Sequence, residues 1–264
     1  MEIKPIFCKS ILSKSYISDY SINPYVGCQH ACTYCYAWYY TKKYRKIEKP
    51  WGSYVYPKIN SLQVLLKEMR KKKKGCVYFS PFTDPYQPVE RKYELTKKLI
   101  KILISNKWPL FIQTKSPLVL RDIDLLKKGD VEIGFTIITL KEKIRKIFEP
   151  NAPSIKERIK ALKVLKESGL STFSFIGPIL PFLTDREVEN LIKKVSKYSN
   201  RIFLDRLNLK PGLWEKIKKV LSENFPSLEE KWKVVLKARS NYYEKIKEKI
   251  KKKFGSRVEL IFCF

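Results

Sequence analysis

The sequence predicts an α/β fold in which a parallel sheet is covered by helices, built from six strand–helix units. Three observations carry this expectation. Short apolar segments of strand length alternate with amphipathic stretches of helix length. Capping boxes open two of the helical stretches, Ser154 with Glu157 and Thr184 with Glu187. Glycines close two of the helical stretches, Gly129 that over 118–128 and Gly169 that over 154–168. Six units fall short of the eight of a closed barrel.

The expected strands are 21–25, 76–80, 110–114, 131–136, 171–177 and 201–206. Helices are expected from Ser61 into the basic run 70–74 and Gly75, then over 95–106, 118–128, 154–168 and 185–197. The tail over 228–254 reads as one or two basic helices, with Trp232, Val235, Leu236, Tyr243, Ile246 and Ile250 near one face. That face either packs on the core, leaving Lys in solvent, or presents a nucleic-acid-facing surface. The chain thus divides into an N-terminal segment 1–19, a core over 20–210 and a basic helical extension over 211–264 packed on that core. No internal repeat or long linker splits it.

A chain of 264 residues can bury a substantial single core. No apolar run reaches the length of a membrane span, and no secretory signal opens the sequence. A cytoplasmic, reducing location is therefore expected. Lys and Arg number 55 against 26 Asp and Glu, a formal charge of +29. Abundant surface charge alone explains neither the sign nor the size of that excess, which points to a polyanionic partner such as nucleic acid.

The strongest chemical signal is Asn23-Pro-Tyr-Val-Gly-Cys28, continued by Gln-His-Ala-Cys32 and Thr-Tyr-Cys35. Three thiols in eight residues are one ligand short of a closed metal site. They can hold three irons of a four-iron cluster and leave the fourth open. Zinc is a second reading, with His30 as fourth ligand, although structural zinc usually draws on two separated ligand pairs. A Cys32–Cys35 disulfide is a third, and it leaves Cys28 unexplained. Cys8, Cys76 and Cys263 read as small core or surface residues.

The C-x3-C-x2-C spacing, with Tyr34 before the third Cys, resembles the signature of the radical S-adenosylmethionine (SAM) enzymes. The resemblance implies an open partial (β/α)6 barrel of the TIM type. It also implies a [4Fe-4S] cluster on Cys28, Cys32 and Cys35, and SAM bound through the open iron. Function in such folds lies at the C-terminal ends of the strands. There Thr83 and Asp84 stand where the family receives the SAM ammonium, usually through a Gly-Gly-Glu motif that is missing here. The alternative for Asp84 is a turn cap. Lys115 is placed to pair with the SAM carboxylate, and Thr136 to hydrogen-bond the same ligand or its ribose. Glu149 can accept ribose hydroxyls with Arg158 behind it, or the two form a structural ion pair. Ile176 and Gly177 offer an apolar shelf for the adenine.

In order, Asn23-Pro-Tyr, the three cysteines with Tyr36, Thr83-Asp-Pro-Tyr-Gln-Pro88, Thr114-Lys-Ser116, Phe148-Glu-Pro150 and Arg158 resemble the spore photoproduct lyase-like group. That group is often labelled DNA repair photolyases. The resemblance covers roughly residues 20–210. It implies reductive cleavage of SAM to a 5′-deoxyadenosyl radical, a DNA or RNA substrate, an electron donor such as ferredoxin or flavodoxin, and a monomer. The lyase keeps a hydrogen-donating Cys after its second strand; residues 80–84 hold none, and Phe82 stands there instead. Tyr36, Tyr39 and Tyr40 either relay hydrogen atoms or pack as core aromatics.

Overall fold

The computed structural model describes residues 1–236, 240–255 and 258–264. Its main sheet has eight strands, seven of them parallel: β1 (Tyr20–Ile22), β2 (Val77–Phe79), β3 (Leu110–Thr114), β4 (Val131–Thr136), β5 (Ser171–Ile179), β6 (Arg201–Arg206) and β7 (Glu259–Phe262). They lie side by side in chain order, and Leu12–Lys14 pairs antiparallel with β1 at one edge. The two edge strands do not meet, so the barrel is partial and open. Among the described residues the main sheet has one parallel strand more than the six expected. A four-residue apolar stretch after a basic tail is too short for its period to be read, and the extension therefore contributes β7 as well as helices.

Alternation along β3 explains how the sheet is filled. Leu110, Ile112 and Thr114 are buried, whereas Phe111 and Gln113 face the barrel interior and stay half-exposed. On the outer face the helix Leu95–Ser105 buries Leu99, Ile100, Leu103 and Ile104. The helix Ile155–Glu167 buries Ala161, Leu162 and Leu165. Each such aliphatic side chain contributes about 1.5–3 kcal/mol. Inside, Phe111 stacks on Phe173 at 4.3 Å between ring centroids, and Phe203 meets both rings edge-on.

Several expected elements differ in detail. The expected strand over 21–25 breaks after Ile22, because Pro24 cannot donate to a ladder and Asn23 instead accepts from the Phe82 amide at 2.9 Å. Tyr25–Val26 then joins a second, three-stranded sheet with Tyr54–Pro57 and Glu2–Ile3. The capping box at Ser154 and Glu157 forms, but the one at Thr184 does not. Thr184 accepts from the Leu180 amide at 2.8 Å, and Glu187 turns to the Thr139 hydroxyl. Its helix consequently starts as a 3-10 turn, Asp185–Glu187, ahead of Val188–Val195. The stretch 118–128 is likewise a 3-10 turn, Pro117–Asp122, followed by one α-turn, because Ser116 and Pro117 set its start.

The expected tail helix crosses residues 237–239, which lie outside the described residues. On either side stand Glu229–Val235 and Tyr242–Phe254, with Trp232, Val235, Tyr243, Ile250 and Phe254 buried against the core. The apolar face of the tail is thus a packing face. No helix among the described residues is long and apolar enough to cross a membrane.

Candidate functional site

The three cysteines sit in a loop that two other loops hold in place. Gly27 enters at φ +89°, and a Cβ there would lie 2.4 Å from the Tyr54 carbonyl oxygen. From one side Thr83 donates its hydroxyl to the Gly27 carbonyl at 2.5 Å. Gln87 and Gln29 brace the same side: the Gln29 amide donates to the Gln87 side chain at 2.9 Å, and the Val89 amide to the Gln29 side chain at 2.5 Å. From the other side Asn151 donates to the Gln29 carbonyl at 3.1 Å, and the Thr33 amide to the Phe148 carbonyl at 2.9 Å. The motifs Thr83–Pro88 and Phe148–Asn151 therefore clamp the cysteine loop.

Cys28, Cys32 and Cys35 line one end of a cavity of roughly 880 Å³ that runs along the barrel interior; Tyr34, Thr83, Asp84, Lys115, Thr136 and Gly177 line it with them at the C-terminal ends of the strands, and Asp19, Cys76, Glu132 and Arg201 line its other end. All six cysteines of the chain are free thiols, so no Cys32–Cys35 bridge forms. Burial pushes the Cys28 thiol up, and Asp84 and the other two thiols push it further. Cys32 rises to about 12, mainly through burial, with Lys115 opposing. Neutral thiols have no mutual attraction, and no trio of His, Cys, Asp or Glu among the described residues is drawn together around a metal-sized point. A metal cation reverses this by favouring thiolates. His30, the zinc-ligand candidate, instead faces Asp84, with Nε2 3.3 Å from Oδ2. Three soft thiols facing one cavity, with the histidine engaged by Asp84, fit an iron–sulfur site with an open position better than a closed zinc site.

Lys115 is the lysine of this cavity, which Arg201 and Arg206 also line. Burial alone would lower its pKa, but Cys32, Glu149 and Asp84 hold it above the usual lysine value. Its Nζ lies 3.8 Å from Glu149 and 5.9 Å from the Tyr34 ring centroid. Glu149 and Arg158 do not line the cavity. Both are fully buried behind it, 2.6 Å apart, and the Tyr34 hydroxyl donates to Glu149. Arg158 also donates to the Thr136 carbonyl at 3.1 Å. Glu149 and Arg158 form the buried ion pair of the second reading, which lies against Lys115 and Thr136.

Asp84 is similarly occupied. It accepts from the Thr114 hydroxyl at 2.6 Å and the Lys115 amide at 2.7 Å, and caps the Tyr86 amide at 2.9 Å. Burial raises its pKa, yet His30 and these donors outweigh burial and bring it down to about 2. The turn-capping reading describes Asp84, while Thr83 spends its hydroxyl on the cysteine loop. Ile176 is buried on the outer side of β5; Gly177 reaches the cavity, where any Cβ would lie 2.3 Å from the Phe175 ring.

The interior face also brings residues that motif reading misses. Tyr78 donates to Gln113 at 2.8 Å and Gln113 to the Thr136 hydroxyl at 2.8 Å, a polar chain across β2, β3 and β4. Cys76 and Cys263, read from the sequence as small core or surface residues, line the same cavity, as do Asp205 and, from the cysteine motif, Tyr36. The detectable signal is polar residues at alternate positions of otherwise apolar strands. Burial raises the Asp205 carboxyl from 3.8 to about 6, with only a weak opposing pull from Arg206. Folding therefore opposes its ionisation: the penalty is absent below pH 3.8, grows as pH rises, and is complete above about 6. Asp205→Asn is expected to raise stability by about 1–2 kcal/mol at pH 8, after discounting for partial exposure, and by little near pH 4. Melting temperatures at both pH values test this, and an equal shift at both would remove the carboxyl as the cause.

A sequence model of the radical SAM superfamily matches residues 22–195, from β1 through the cysteine loop to the helix Val188–Val195. An uncharacterized protein of Methanocaldococcus jannaschii is 39% identical over 239 residues, covering 89% of this chain and 87% of that protein. The spore photoproduct lyase of Clostridium acetobutylicum is 27% identical over 188 residues, covering 68% of this chain and 52% of the lyase. A solved spore photoproduct lyase, complexed with dinucleoside spore photoproduct, has a TM-score of 0.70 at 15% identity, over 98% of this chain and 82% of that one. With two thirds of its length under the family model and its cysteine loop at the mouth of an open parallel barrel, the chain belongs to the radical SAM superfamily of enzymes, and its fold is that of spore photoproduct lyase.

Proposed function

We propose that Cys28, Cys32 and Cys35 hold a four-iron cluster, that SAM occupies the adjoining cavity, and that the substrate is a nucleic acid. The observation that carries the proposal is the meeting of three thiols and one partly buried ammonium group, that of Lys115, in a single cavity. When bound, the cluster supplies the electron that splits SAM into methionine and a 5′-deoxyadenosyl radical. The protein supplies position and shielding. Lys115, held upright by Glu149 and the Tyr34 ring, offers a point charge to the SAM carboxylate. Thr136 offers a hydroxyl already polarised by Gln113, and Gly177 leaves room for a flat ring to approach the backbone. Phe111 and Phe203 line the cavity and, with Phe173, form an aromatic cluster inside the barrel. Support for nucleic acid comes from the charge of +29 and from the fold shared with a lyase solved on a dinucleoside lesion.

Anaerobic assay for 5′-deoxyadenosine in the presence of DNA and RNA tests the whole reading; none formed with reduced, iron-loaded protein would refute it. Lys115→Ala is expected to weaken SAM binding about tenfold to a hundredfold, the value of one charge-assisted hydrogen bond, with iron content unchanged. Equilibrium titration that finds the same affinity in both proteins removes Lys115 from the SAM site.

A further inference from the structure

Beside the cavity mouth, the helix Ala37–Arg45 carries aromatic rings outward to the surface. We propose that this face is a stacking platform for the bases of a single-stranded nucleic acid, leading the strand to the cavity; the inference rests on the nucleic-acid reading above. Tyr36, Tyr40 and Tyr44 are spaced by four residues and share one side of the chain as it enters and follows the helix. Tyr36 and Phe82 line the cavity, with ring centroids 6.0 Å apart. Tyr40 follows at 5.2 Å from Phe82, and Tyr44 lies 6.0 Å from Tyr40 with ring planes 7° apart. The series is continuous from the cavity to solvent.

Two features distinguish this series from ordinary core packing. Tyr44 is 67% exposed and Phe82 39%, whereas Tyr25 and Tyr54 of the nearby three-stranded sheet are buried. Cations surround the rings: Lys43 stands 5.3 Å over Tyr44, Lys210 5.7 Å over Tyr40 and Lys216 3.5 Å over Trp38. Lys42, Arg45 and Lys46 are exposed beside them. Among the described residues, only Lys42 of this group reaches a carboxylate, Glu48 at 3.7 Å. A duplex offers such a surface phosphates but hides its base faces, and an acidic protein offers charge without flat rings. A single strand offers both. From position 36 to position 44 the helical rise is roughly 12 Å, room for about three stacked nucleotides. The basic run 70–74, by contrast, precedes β2 and so lies at the opposite end of the strands from the cysteine loop.

Fluorescence anisotropy on the iron-loaded protein tests the platform, using labelled oligothymidylate and oligouridylate of about fifteen nucleotides and the matching duplex. Single strands are expected to bind at least about tenfold more tightly than duplex, and Tyr44→Ala and Tyr40→Ala each to weaken binding about tenfold. Tyr44→Phe should bind as wild type, because the ring face and not the hydroxyl meets the base. The double variant Lys43→Ala with Lys46→Ala should flatten the dependence of affinity on salt by about one unit of slope for each phosphate no longer neutralised. The better-bound of the two oligonucleotides identifies DNA or RNA. If single strands bind but Tyr44→Ala and Tyr40→Ala both stay within about twofold of wild type, or duplex binds equally well, the platform is overturned while the nucleic-acid reading stands. If no oligonucleotide binds at low salt, both fall.

Discussion

Cys32→Ala protein, reconstituted anaerobically with iron and sulfide, is expected to take up no stoichiometric iron and to form 5′-deoxyadenosine only at background. Wild-type protein should hold about four irons and four sulfides. The reason is ligand number. Three thiols line the cavity, His30 is turned to Asp84, and two thiolates cannot hold a cluster that three leave open on one side. Cys28→Ala and Cys35→Ala should behave alike, whereas Cys8→Ala should keep its iron, because Cys8 packs against the barrel core and does not line the cavity. Metal loading must also discharge protons from thiols that burial keeps neutral, so uptake should release acid and slow as pH falls. Stoichiometric zinc in place of iron in the wild type would sink the cluster assignment.

How much of this can be read from the chain depends on the residues. The strands Leu110–Thr114, Val131–Thr136 and Arg201–Arg206 are legible to the residue, because long alternation and flanking helices leave no second register. The cysteine loop is legible because soft ligands at close spacing have few other uses. The loops 83–88 and 148–151 are legible as motifs but not in what they do. Proline-bounded Asp and Glu look like ligands for a cation, and only packing reveals that Asp84 and Glu149 have already spent their lone pairs on Thr114, Lys115, Tyr34 and Arg158. Tyr78, Gln113 and Asp205 escape detection for the converse reason. Their one signal, a polar residue at an alternate position of an apolar strand, gains meaning only when the sheet curves and turns those positions toward one interior. Charge counting points to a polyanion but not to where it would bind. The densest run, 70–74, lies at the N-terminal ends of the strands, and the sparser lysines near Tyr40 and Tyr44 lie at the end that carries the cysteine loop.

Glu149→Gln is expected to destabilise the fold by about 3–5 kcal/mol, the usual consequence of removing one partner from a buried ion pair. Arg158 is fully buried and Lys115 partly so; Arg158 loses its carboxylate partner and Lys115 one of the two carboxylates near it. In a chain of this length that corresponds to a fall in melting temperature on the order of 10 °C. The wild-type pair has a matching acid signature. Burial raises the Glu149 carboxyl, but Arg158 and Lys115 bring it below the usual value, so its stabilisation is present above 4.5 and is lost as pH falls through the lower folded value. Glu149→Gln should therefore abolish that part of the acid transition. Loss of charge also frees Lys115 to leave the cavity, so SAM affinity should drop although residue 149 touches no SAM. Glu149→Leu combined with Arg158→Met separates the two effects. Replacing both ions by apolar groups removes the uncompensated charge and should recover much of the stability. SAM affinity should stay low, because Lys115 still lacks its anchor. A double variant as unstable as Glu149→Gln would mean that the shape of the pair matters more than its charge, and unchanged SAM affinity in both would end the claim that Glu149 positions Lys115.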